Sequence, residues 1–144
     1  MKVEFRSLTF GDITWFKERN HINVMEDTVG IVAMDEDTHE ILAMCIMDSW
    51  TKTSVQVHQV IENPMVLRHG FFEEISHFVF VTSWRRVMVG LVPANNEKAI
   101  KLNKHIGFSE VARIRNGYDT DIDYIIMEMR DEDCQFLKRD REAA

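Results

Sequence analysis

The stretch "SVQVHQVIEN", Ser54 to Asn63, reads as a strand carrying three side chains with useful chemistry, His58, Gln59 and Glu62. His58 is a candidate general base, because imidazole takes up and releases protons near neutral pH. Glu62, close to the strand's end, is a second candidate that would act through water. Strand side chains alternate, so Gln59 shares a face with Val55 and Val57 while His58 points to the other. Each has a plain structural alternative: a sheet histidine hydrogen-bonded in the core or at a rim, and an exposed loop acid.

A second stretch, "VPANNEKAIKLNKHIGF", Val92 to Phe108, predicts a short helix with an abrupt stop. Ala99, Leu102, Asn103 and Ile106 fall on one face of a 3.6-residue period, and Lys98, Lys101, Lys104 and His105 take the rest. Asn95 or Asn96 can cap the first turn, and Gly107 can adopt the left-handed conformation that ends it. Asn103 is the odd member, since an unpaired amide on a core-facing stripe costs roughly 1 to 3 kcal/mol. A carboxamide donates a hydrogen bond but does not release a proton near neutral pH.

Other residue types exclude chemistry. His69 and His77 lack the i, i+4 spacing of a metal-binding helix, so no metal is expected. Cys45 lies in the apolar run "ILAMCIM" and Cys134 in a polar tail, without a CxxC, so both are expected to be buried and idle thiols.

The elements that must position these residues follow from patterning. "VEFRSL" predicts a first strand and "TFGDITWFKERN" a helix with Thr9 as cap. "TVGIVAMD", "EILAMCIMDSW" and "KTSVQVHQVIEN" predict three strands in an antiparallel meander. A helix within "NPMVLRHGFFEEISHFVFVTS", the strand "RVMVGLV" and the Asn103 helix come next. Two strands turning across Asn116-Gly117 and "YDTDI" close the domain.

A chain of 144 residues, 45% hydrophobic and 28% charged, fits one domain, here 1–130, with a charged tail over 131–144. No apolar run approaches the ~20 residues that span a bilayer, and "MKVEFRSLTF" lacks a signal peptide's apolar region, so a cytoplasmic place and no membrane partner are expected. The net charge of -7 argues against nucleic acid as the main partner and suits a cationic amine.

The order β-α-βββ-α-β-α-ββ and the string "VPANNEKAIKLNKHIGF" resemble the GCN5-related N-acetyltransferase family. Its pattern after the corresponding strand is matched by Val92, Asn96, Ala99, Gly107 and Phe108, with Asn103 where the family carries a tyrosine that protonates the departing thiolate. The resemblance implies an α/β fold, a mixed sheet of about seven strands with helices on both faces. It implies acetyl-CoA as co-substrate and direct transfer of the acetyl group to a primary amine of a small molecule or protein. It places Gln59 and Val60 at the cofactor in a cleft between the central strands, Asn96 at the cofactor-binding turn, and Asn103 as hydrogen-bond donor to the thiolate.

The family's glycine-rich pyrophosphate loop is altered. One alignment on "NPMVLR" puts Val66 and Arg68 in the glycine positions, where side chains would intrude on the backbone nest. A shifted alignment uses Gly70, with Leu67, Arg68 and His69 around the pyrophosphate. Read from the residues alone, Asn63 as N-cap and Pro64 at N1 start a helix without any ligand. The chain also resembles short acetyltransferase-like proteins of tailed bacteriophages, through its compactness and the ending "DYIIMEMRDEDC". That resemblance implies the competing function, a non-catalytic structural or binding protein of the same fold with a protein assembly partner, in the virion or the host cytoplasm.

Overall fold

The computed structural model of the chain describes residues 1–137. β2 (Val29–Asp35), β3 (Ile41–Asp48) and β4 (Ser54–Ile61) form the expected antiparallel meander, and β1 (Val3–Ser7) adds antiparallel to β2 at the sheet's edge. β5 (Val87–Pro93) joins β4 in parallel, and the hairpin of β6 (Ser109–Asp119) and β7 (Ile122–Arg130) completes a seven-stranded sheet. The order is β1-β2-β3-β4-β5-β7-β6, so β7 sits between β5 and the edge strand β6.

Helices cover both faces, as the α/β expectation requires. On one face α1 (Asp12–Lys17) sets Ile13 and Phe16, with Ile22 beyond it, against Val32, Met44 and Ile46. On the other, α2 (Phe71–Ser76) and α3 (Glu97–Ile106) close the larger core around Cys45, Val57, Met88, Ile125 and Met127. β3 is buried from Leu42 through Asp48 because both its faces are packed, which is why its sequence runs apolar instead of alternating. No described helix is long and apolar enough to cross a membrane.

The helix ends show local chemistry at work. The Asn96 side chain accepts a hydrogen bond from the Ala99 N–H at 3.2 Å, and Gly107 ends α3 at φ +118°. At α1 the capping runs the other way from expectation. Asp12 reaches back to accept from both the N–H and the hydroxyl of Thr9, at 2.7 and 2.9 Å.

The helical stretch after β4 divides into three pieces. A 3-10 helix, Pro64–His69, starts at Asn63, whose side chain accepts from the Met65 N–H at 3.0 Å. Gly70, at φ +87°, turns the chain into α2, which continues in π-helical form over His77–Thr82.

Two expectations are corrected at the C-terminal side. The last hairpin reverses at Thr120–Asp121, within the expected "YDTDI", but Asn116-Gly117 lies inside β6 as an irregularity instead of at the turn. A β-carbon at Gly117 would lie 2.7 Å from Ile114, so glycine is required there by close packing. The chain after β7 also turns inward: Cys134, Phe136 and Leu137 are buried, and Phe136 stacks on Phe72 at 5.7 Å. Cys134 is thus a core thiol, and residues 138–144 of the expected tail lie outside the described residues.

Candidate active site

β4 and β5 pair at three positions only, Ser54 with Val87, Val55 with Met88 and Gln56 with Val89. Beyond them each strand stays with its outer neighbour, β4 with β3 as far as Ile61 and β5 with β7 as far as Pro93. The two central strands therefore diverge, leaving a gap flanked by Val57–Ile61 and Gly90–Pro93.

The gap is lined by unspent backbone. Glu62 donates its N–H to the Leu42 carbonyl on β3 at 2.9 Å. In an antiparallel pair alternate residues turn outward; the Val57 N–H is taken up in the last parallel pair, and beyond it Gln59 and Ile61 direct their N–H groups toward β5 and the gap. Val60 has the opposite phase: its N–H faces β3, and its side chain packs with the α1 cluster. Gln59 adds a polar atom, because its Oε1 is buried without a hydrogen-bond partner among the described residues.

His58 faces the α1 side, and there it has a partner the sequence reading did not identify. Its Nε2 lies 3.0 Å from Oδ2 of Asp48, whose side chain is 3% exposed against 22% for His58. The second carboxylate oxygen accepts from the Ser49 hydroxyl at 3.1 Å. Asp48 pairs with Gln56 and Ile46 with His58, so the acid and the imidazole are diagonal neighbours on one face. The only trace in the sequence is an acid ending the apolar run "ILAMCIMD".

The other candidates are dispersed. Glu62 pairs with Nε of Arg19 at 3.3 Å, and that guanidinium lies 4.0 Å above the Trp15 ring. Its charge is thereby answered at the end of α1. Asn103 finds the partner its position demands: Nδ2 donates to Sδ of Met127 at 3.8 Å. Asn96 serves as the α3 cap described above. Among the described residues no three or more potential ligands cluster to hold a metal ion.

Leu67, Arg68, His69 and Gly70 form the end of the 3-10 helix and the turn into α2. Val66 does not intrude on a nest, as the first alignment expected, because it is wholly buried in the core, while Arg68 is exposed. Backbone donors here are already used: the Met65 N–H by the Asn63 side chain, the Val66 N–H by the Asn63 carbonyl and the Gly70 N–H by the Val66 carbonyl. The first turn of α2 carries Glu73 and Glu74, two carboxylates where the helix end favours an anion. Arg68 and His69 are the basic side chains in the last turn of this 3-10 helix.

No family model and no curated protein matches the chain. Solved structures do. A spermidine/spermine N-acetyltransferase from Vibrio cholerae superposes with TM-score 0.75 at 13% identity, over 95% of this chain and 96% of that one. A mutant form of the same enzyme gives TM-score 0.77 at 13% identity, covering 96% and 99%. Its complex with CoA and spermine gives 0.74 at 12% identity, covering 94% and 98%. The course of the backbone, not the sequence, carries this likeness, and the chain has the fold of the GCN5-related N-acetyltransferases.

Proposed function

We propose that the chain is an acetyl-CoA-dependent N-acyltransferase that moves an acetyl group to a primary amine by direct attack. The observation that carries this reading is the gap opening after Gln56 and Val89, with the Gln59 N–H directed into it. A backbone donor held by β3–β4 pairing needs no rearrangement to stabilise charge developing on an acyl oxygen. The bound thioester supplies an activated acyl group. Gln59 contributes its N–H and its buried Oε1 to the arm, and Arg68 and His69 supply positive charge for the phosphates. His58, on the opposite face of β4 from Gln59, is the base, and Glu62 is held by Arg19. That one similar structure holds CoA together with spermine supports an amine as acceptor.

The competing reading is a non-catalytic protein of this fold, of bacteriophage origin, retained for assembly in the virion. It draws on the loop whose backbone donors are spent internally and on the two carboxylates that open α2.

Calorimetric titration with acetyl-CoA, and with CoA as comparison, separates the two. Binding in the micromolar range, on the order of -8 kcal/mol, followed by acetylation in a screen of primary amines, is the expected result. Absence of heat and of thermal stabilisation at millimolar ligand would overturn the enzyme reading and favour the assembly role.

A further inference from the structure

Asp48 is buried at the end of β3 with one oxygen on His58 and the other on Ser49. A buried carboxylate is retained at a cost unless it is paired and hydrogen-bonded, and His58 is its one ion-pair partner among the described residues. An ionised carboxylate only accepts hydrogen bonds, so His58 must present Nε2 as N–H. In the neutral imidazole that leaves Nδ1 as the sole free acceptor.

We infer that Asp48 is a positioning residue for the transfer: it fixes the tautomer of His58 so that Nδ1 is the atom that receives the proton from the acceptor amine. This rests on the acyltransfer reading above. His58 stands two residues beyond the last parallel pair, Gln56 with Val89, where the central strands have begun to part. Its side chain is partly exposed, while Asp48 behind it is closed to water.

The proton and electron accounting is complete with residues and substrates already named. Nδ1 takes one proton from the ammonium, and the Asp48 carboxylate balances the imidazolium that results. The freed nitrogen lone pair forms the C–N bond to the acyl carbon as the C–S bond breaks, its electron pair leaving on sulfur. The second proton lost by the amine nitrogen neutralises the thiolate, and His58 returns its proton to water.

The test combines Asp48→Asn with His58→Gln and a nitrogen-resolved NMR measurement of the His58 ring that does not need activity. The wild type is expected to carry the proton on Nε2. An amide at position 48 can donate to Nε2 and drive the proton to Nδ1, so kcat should fall about 100-fold or more, with KM within about threefold. Asp48→Asn should add nothing further to a His58→Gln protein, because both changes remove one device. A merely structural Asp48 would give losses that multiply, an unchanged tautomer, or a kcat loss that tracks the unfolded fraction, and any of these overturns the inference. A wild type that binds no donor and acetylates no amine overturns the acyltransfer reading and this role with it. The tautomer then reports only whether the pair exists.

Discussion

Arg6 and Asp12 tie the end of β1 to the start of α1 through two parallel hydrogen bonds, Nη1 to Oδ2 at 2.7 Å and Nη2 to Oδ1 at 2.9 Å. Asp12 is 6% exposed, and its Oδ2 also accepts from Thr9, so one carboxylate organises strand, turn and helix. The Arg6 hydrogen bond holds the Asp12 carboxyl well below its ordinary 3.8, down to about 2, against the opposing effect of burial. A depressed carboxyl contributes its full stability above the unfolded value and loses it as pH falls through the folded one. Asp12→Asn should therefore lower unfolding stability by about 1 to 3 kcal/mol at neutral pH. The difference from wild type should shrink between about pH 4 and pH 2. Urea denaturation across that range checks both, and a pH-independent difference would contradict the pairing.

Val66 and Arg68 separate a fold residue from a surface residue within one short helix. Val66 is fully buried, so Val66→Asp places an unpaired carboxylate in the core and should destabilise by more than about 4 kcal/mol. Arg68→Ala should leave the melting temperature alone and weaken acetyl-CoA binding about tenfold, the loss of one charge-assisted contact. Calorimetry together with a thermal melt of each variant reads the two effects apart.

Neither thiol should react while the protein is folded. Burial pushes the Cys45 thiol up to about 12, which keeps it protonated and unreactive at neutral pH, and Cys134 is equally enclosed. A disulfide-exchange reagent is expected to titrate no thiol in native buffer and both in guanidinium. Rapid native labelling at Cys134 would show that the chain after β7 does not hold to the core.

Phe136 anchors that closing segment. Its ring stacks on Phe72 and is 7% exposed. Phe136→Ala should cost about 3 to 5 kcal/mol and lower the denaturation midpoint, as for other large core side chains cut to alanine. A cost below about 1 kcal/mol would return the segment to the status of a surface tail.

What the sequence determined by itself is local. Apolar periodicity located the strands of the meander, Asn63-Pro64 marked a helix start, and Asn96 and Gly107 marked the ends of α3. These signals depend on residues within a turn of one another, where the backbone's own donors and acceptors decide the outcome. The order of elements carried the fold in the same way. Tertiary structure alone decided the rest. That β4 leaves β5 after three pairs goes with each strand's pairing to its outer neighbour, β4 to β3 and β5 to β7, which lies beyond α3 and β6 in the chain. Val66 turns inward, and so do Cys134 and Phe136, because each joins the core cluster built from α2, α3 and the sheet. Asp48 and His58 meet only through the register of β3 on β4. A one-residue slip in that register would set them on opposite faces, and no local pattern of residues reports it.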